Sequence, residues 1–321
     1  MPKKMQKAYQ TFPRLCEKRC FSLEKSVFQG TSNCSSKLFL QKKKKCKTEM
    51  KIIVEAGGTK CKWGLTGNRT RTIETIGFNP NCGHTDGLLG IAQAIAEVAE
   101  NEVESVLYFG AGCGNQQNQE LVRATLCKVF ANAEIKVCSD LEGAAIALFG
   151  LGQGVAAILG TGASAGVYNG NEISLQAPSL GYLLGDEGSG AYLGKMLIQK
   201  VLRNELAEDI CRKFWVFANS TPSALIHNIY MSASPNSLLA SYVPFISENI
   251  DNEQIEAIVT NGIADFDQKH FKILNRTDLP LGFVGGIAYQ FSALLKQHFN
   301  NQGFDIKILK DAYSELIKSA N

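Results

Sequence analysis

Four short segments carry residue types and spacings suited to holding phosphate. The first is Gly57-Gly58-Thr59-Lys60, which follows an apolar strand candidate at 51–55. Its two glycines let backbone N–H groups approach an anion with no Cβ in the way, Thr59 adds a hydroxyl donor, and Lys60 adds a positive charge. Glu55, at the strand's end, is placed to hold Mg²⁺ through water, because this ion keeps part of its hydration shell. Gly160-Thr161-Gly162 offers a second phosphate-facing turn. Val284-Gly285-Gly286 ends a strand and opens a helix, where missing Cβ atoms leave room for a flat nucleoside. Gly185-Asp186-Glu187-Gly188-Ser189-Gly190 sets carboxylates between glycines before a helix. Each also has a plainer reading: a hairpin turn at 57–60, a helix N-cap at Asp186, close helix packing at Gly188 and Gly190. No GxxxxGK[ST] motif is present, and Gly110-Ala111-Gly112-Cys113-Gly114 lacks the dinucleotide-fold spacing.

Such turns act only when a frame brings them together. Strands are expected at 51–55, 61–66 and 71–76, which opens the body with a meander. Thr85 can cap a helix whose Leu88, Ile91, Ile95 and Val98 keep helical spacing. A strand at 105–109, a helix at 116–130 and a strand at 134–138 follow. A helix then runs over Asp140–Phe149, with Ser139 and Glu142 at capping-box spacing. A second cycle begins with a strand at Gly154–Leu159, the turn at 160–162 and a strand at 165–168. A helix is expected at 188–203, helices through most of 205–272, a strand at Leu281–Val284 and a helix at 287–298. Two halves that each open with strand, Gly/Thr turn and strand predict a duplicated α/β architecture with a cleft between lobes.

The 321 residues suggest two domains, and 45% hydrophobic with 20% charged residues exclude wholesale disorder. No apolar run reaches the roughly 18 residues of a membrane span. Residues 1–50 hold 13 of the 33 Lys and Arg and 3 of the 30 Asp and Glu. The rest of the chain is therefore acidic, which argues against a nucleic-acid platform. The basic stretch, with its run Lys42-Lys43-Lys44-Lys45, reads as a localisation or RNA-binding tail, as a transit peptide, or as sequence upstream of a start at Met50. The last is the expectation here, with 1–49 a disordered extension that need not belong to the native protein. None of the ten cysteines forms a C-x-x-C pair or stands at zinc spacing from the four histidines, so a reducing cytoplasm is expected.

The motifs together resemble one family. VEAGGTK (54–60), GFNPN (77–81), YFGAGC (108–113), SDLEGAAIAL (139–148), ILGTG (158–162), SLGYLLGDEGSGAYLG (179–194) and FVGGIAY (283–289) run in order. They are similar to the N-acetylglucosamine kinase and BadF/BcrA-type ATPase group of the actin-like sugar kinase superfamily, over nearly all of 50–290. The resemblance implies two RNase H-like lobes with an interlobe nucleotide cleft. The first lobe would span 50–151 with the tail 305–321 packing back on it; the second would span 152–304 with a helical insertion. It further implies ATP with Mg²⁺, a small-molecule sugar substrate and a homodimer. By that resemblance Gly58, Thr59 and Lys60 form the first phosphate loop, Glu55 the metal-side acid, Thr161 with Gly162 the second loop, and Gly285 and Gly286 the adenosine segment. Asp140 matches the catalytic aspartate, Asp186 the carboxylate that holds sugar hydroxyls, and Asn79 or Asn81 the asparagine on the sugar. Gly181 falls in the sugar-side block. Ala163-Ser164 stands where members often have the Ser-Asn pair that contacts N-acetylglucosamine, so fewer side-chain hydrogen bonds are available to that sugar. The implied reaction is phosphorylation of an amino sugar, N-acetylglucosamine to its 6-phosphate. The alternative is a BadF/BcrA-type ATPase without sugar kinase activity, for which Cys113 and Cys138 are the conceivable cluster ligands.

Overall fold

The computed structural model describes residues 50–67, 69–81, 85–99 and 102–320. The expectations for residues 1–49 lie outside the described residues. The first strand, β1 (Met50–Ala56), buries both faces: Ile52, Val54 and Ala56 enter one core and Ile53 another. A strand covered on both sides belongs at the middle of a sheet. It pairs antiparallel with β2 (Lys60–Thr66), which pairs with β3 (Arg71–Ile76). On its other edge lie β4 (Val103–Gly110) and β5 (Glu134–Ser139), both parallel. Helices α1 (Thr85–Val98) and α2 (Gln116–Cys127) cover one face, through Leu88, Ile95, Val122 and Leu126. Helix α3 (Asp140–Phe149) lies on the other.

The pattern then repeats. Strands β6 (Gly154–Leu159), β7 (Ala163–Tyr168) and β8 (Ile173–Gln176) form the second meander, and β9 (Leu281–Val284) and β10 (Lys307–Leu309) add parallel to β6. Strand order is β3-β2-β1-β4-β5 in one sheet and β8-β7-β6-β9-β10 in the other, so the duplication read from two short turns extends to the whole topology. Helices α4 (Gly181–Leu184), α5 (Gly190–Leu202), α6 (Glu208–Ala218), α7 (Pro222–Met231), α8 (Pro235–Ala240), α9 (Val243–Glu248) and α10 (Glu253–Phe266) lie between β8 and β9. After β9 come α11 (Gly286–Gln290) and α12 (Ser292–Asn300). The single helix expected at 287–298 is broken at Phe291, whose φ of −104° and ψ of 31° are not helical and whose ring is buried.

The two sheets share a seam. Helix α3 buries Leu141, Ala144, Ala145 and Leu148 in one core with Phe109 of β4, Ala156 of β6 and Val284 of β9. The last helix, α13 (Tyr313–Ala320), adds Leu316 to that core and docks on β1 and β2. The stretch 305–321 therefore splits: Ile308 pairs with Phe283 in the second sheet, while α13 returns to the first. The duplicated α/β architecture with two lobes is the observed fold. No helix among the described residues is long and apolar enough to cross a membrane.

Candidate active site

The β1–β2 turn is held from outside. The Gly57 N–H donates to the Lys60 carbonyl at 2.9 Å and the Gly77 N–H to the Thr59 carbonyl at 3.0 Å. A Cβ on Gly77 would overlap the Gly57 carbonyl oxygen and lie 2.7 Å from the Thr59 nitrogen. Gly77, the first residue of the GFNPN segment, is thus the contact on which the loop rests. Gly58 faces open space and Thr59 and Lys60 are exposed, so the loop's outer side is free for a ligand.

The second turn is built into the start of a helix. The N–H groups of Gly190 and Ala191 donate to the carbonyls of Gly160 and Thr161, at 2.8 and 3.1 Å, while Ser189 caps α5. This bond pattern fixes Thr161 to the start of α5. The hydroxyls of Thr59 and Thr161 then stand 3.3 Å apart, although 102 residues separate them in sequence. The two glycine–threonine turns, one from each lobe, meet at a single point.

Asp186 lies against the second turn, and Asp140 is near enough to feel its charge. Asp140, the first residue of α3, accepts the Leu141 N–H at 2.9 Å and keeps partial access to solvent. Burial raises its pKa, and the negative charge of Asp186 raises it further. Asp186 sits with its Oδ2 3.0 Å from where a Gly162 Cβ would be, beside the Ala163 N–H. Its pKa is also raised by burial, against the pull of that N–H and of His270. An ionisable group that is desolvated and repelled by a like charge holds a proton more readily than in water, which suits a proton acceptor.

The chain is 30% identical to a candidate N-acetylglucosamine kinase of Porphyromonas gingivalis, over 84% of its own length and 98% of that protein's, with a TM-score of 0.79. The chain belongs to the actin-like sugar kinase superfamily. Two more distant members of this fold are a candidate N-acetylglucosamine kinase of Chromobacterium violaceum and a ROK family glucokinase of Streptomyces griseus, solved with glucose and AMPPNP. The first is 19% identical over 84% of this chain and 99% of that one, TM-score 0.64. The second is 16% identical over 82% and 94%, TM-score 0.51. No family model and no curated protein matches the sequence.

Within this sugar-kinase fold the remaining expected residues divide. Asn79 accepts the Asn81 N–H at 2.9 Å, and Asn118 of α2 donates to both the Asn81 side chain and the Gly112 carbonyl, at 2.8 and 2.7 Å. A Cβ on Gly112, whose φ is 78°, would overlap the Asn79 amide oxygen. The two asparagines are therefore one braced unit with the Gly110–Gly114 loop, and Asn118 is the member that sequence reasoning missed. Ser164 accepts from the Gln176 amide at 3.2 Å and Ala163 is buried. Gly181 opens α4 at φ 70° in open space. Ser237 of α8 was also missed: its hydroxyl lies 3.1 Å from that of Thr59, and no local motif marks it. Its helix is seated by Gly194, where a Cβ would overlap the Leu239 carbonyl oxygen.

Two of the expected site residues also make structural contacts. Gly285 is the first. At φ 132°, a Cβ there would overlap the Leu159 carbonyl oxygen and lie 3.2 Å from the Gly160 nitrogen, so this glycine lets β9 touch the second phosphate turn. Gly286 alone faces open space. Glu55 is the second. Its Oε1 accepts the Ala312 N–H at 2.9 Å, at the start of α13, beside the Lys62–Asp311 ion pair of 2.8 Å. Burial raises its pKa. Among the described residues no group of three or more His, Cys, Asp or Glu is arranged to hold a metal. The donor set fits a magnesium ion carried on phosphate oxygens and water, to which Glu55 offers at most a water-mediated contact. A groove of about 550 Å³ lined by Arg212, Lys213, Val216 and Phe217 contains none of these residues.

Proposed function

We propose that the chain is an ATP-dependent carbohydrate kinase that phosphorylates a hydroxyl of an amino sugar, N-acetylglucosamine to N-acetylglucosamine 6-phosphate. The observation that carries this reading is the meeting of Thr59 and Thr161 from opposite lobes beside the carboxylates of Asp140 and Asp186. Similarity to the Porphyromonas gingivalis protein supports the substrate class. Phosphoryl transfer asks for positioning and charge stabilisation more than for covalent chemistry. The N–H groups of the two turns, the threonine hydroxyls and Lys60 would bind the triphosphate, and Gly286 would lie under the nucleoside. Asp186 and Asn81 would orient the sugar. The sugar hydroxyl gives its proton to Asp140 as its oxygen attacks the γ-phosphorus, and the bond from that phosphorus to ADP breaks. Magnesium bound on the phosphates supplies charge neutralisation.

Because the base must be ionised and its pKa is raised, kcat/KM should fall on the acid side at a pH above the ordinary aspartate value of about 3.9. Asp186→Asn removes the repelling charge and should move that limb to lower pH, measured as a full pH profile. An unmoved limb separates the two carboxylates.

The test of function is an ATP-consumption screen over N-acetylglucosamine, glucosamine, glucose, N-acetylmannosamine and N-acetylmuramic acid. Turnover with N-acetylglucosamine above the others is expected; sugar-independent ATP hydrolysis alone would reject the reading. The reading as an ATPase with an iron–sulfur cluster has no support in the thiols. Cys113 and Cys138 are both buried, so neither presents its sulfur at a surface where a cluster shared with a second subunit could form.

A further inference from the structure

Behind Asp186 lies a buried contact that the reaction just described does not use. Asp186 has a left-handed backbone, φ 57°, which a residue with a side chain holds only when its surroundings enforce it. Its neighbour Glu187 places Oε2 3.0 Å from Nε2 of His270, whose side chain is 3% exposed. His270 comes from Asp267–Phe271, a π-helical turn that continues α10, a geometry concentrated at functional sites. Its ring stacks on Phe266 with centroids 5.0 Å apart and planes 14° from parallel.

The same surface supports the next residue. A Cβ on Gly188, at φ 75°, would lie 3.0 Å from both the Gly262 carbonyl oxygen and the Phe266 Cβ. The loop 186–188 thus rests on α10 and its π turn at two consecutive points. The turn is itself anchored, because Asp267 Oδ2 lies within 3.0–3.3 Å of Gln302, His298 and Lys272. Nδ1 of His270 is buried without a partner, an unfavourable state that folds retain where position matters more than stability.

We propose that Glu187 and His270 are a positioning pair: the π turn fixes His270, His270 holds Glu187, and Glu187 keeps Asp186 in the left-handed conformation that turns its carboxylate toward the sugar. This rests on the reading that Asp186 binds sugar. The imidazole's pull on the Asp186 carboxyl agrees with their closeness.

The test compares His270→Leu, which removes the ring nitrogens, with His270→Gln, which keeps a donor. Loss of one charge-assisted hydrogen bond is worth about a tenfold change or more. His270→Leu should raise the sugar KM by about that factor, with kcat less affected and the AMPPNP Kd, by calorimetry, within about twofold. His270→Gln should recover part of the loss. An unchanged sugar KM, or sugar and nucleotide affinities falling together, overturns the pair. If His270→Leu does not fold, Glu187→Leu, which removes the other partner of the bond, carries the same expectations. A wild-type protein that takes up AMPPNP but phosphorylates no sugar refutes the proposed function instead. The structural half then still faces its own test: a crystal structure of His270→Leu, or of Glu187→Leu should that variant alone fold, in which Asp186 keeps its positive φ overturns it.

Discussion

Asp140→Asn should lower turnover by about a hundredfold or more while leaving sugar and AMPPNP affinities within about twofold, and it should raise the melting temperature. The first half follows from the role of a proton acceptor, since an amide has no basicity to offer the attacking hydroxyl. Binding survives because the amide oxygen of Asn can still accept the Leu141 N–H that fixes the side chain. The second half follows from the cause of the raised pKa. Burial and the Asp186 charge penalise ionised Asp140 in the folded protein only. With a folded pKa above the unfolded one, the carboxylate costs stability at neutral pH. That cost shrinks as the pH falls through the folded value and is gone below the unfolded one. The gain in melting temperature from Asn should therefore be largest near neutral pH and fade toward pH of about 4. Scanning calorimetry across that range, beside steady-state kinetics, checks both. Near-normal turnover would remove Asp140 from the role, and a lower melting temperature would contradict the electrostatic account.

Gly285→Ala should be the most damaging single methyl in the molecule. The substitution meets two penalties at once, a backbone at φ 132° and a Cβ overlapping the Leu159 carbonyl oxygen. Neither neighbour is a flexible side chain that can swing away; both are main chain of the second phosphate turn. A destabilisation of about 3 kcal/mol or more is expected, which is a fall of roughly 5–10 °C in melting temperature for a chain of this size. What remains folded should bind AMPPNP weakly, because Gly160 and Thr161 must move. Gly286→Ala is the companion. Its Cβ enters open space, so the melting temperature should hold within about a degree while nucleotide affinity falls. Equal effects at the two positions would mean that the glycines do not divide into one for contact between chains of backbone and one for ligand.

The contrast between these glycines shows what the sequence disclosed. Its alternating apolar runs and paired glycine–threonine turns sufficed for the first meander and for the β6–β7 hairpin that opens the second, and helix α3 has the expected ends because Ser139 caps it through the Glu142 N–H. Strand β8 escaped notice because most of it is exposed, so no alternation marks it. The turns that carry Thr59 and Thr161 and the helix start at Asp140 were legible because glycine spacing and helix capping are local signals. Ser237 and Asn118 were not, since their roles depend on segments 178 and 37 residues away. Glu55 was placed by its position at a strand's end; its actual partner lies 257 residues downstream, just ahead of a helix with no motif of its own. Residues that a turn brings together can be read in order along the chain, and residues that only the seam brings together cannot.

That same helix sets a timetable for biosynthesis. The first lobe is encoded early, yet β2 keeps room at Gly64 for Ile317 and Tyr313, and Thr72 of β3 bonds the Tyr313 hydroxyl at 2.7 Å. A ribosome delivers residues in sequence, so the opening half of the polypeptide waits, with one wall of its core uncovered, until residues beyond 310 emerge. Partly made chains are thus the species most exposed to aggregation, and the seam between the sheets is completed last.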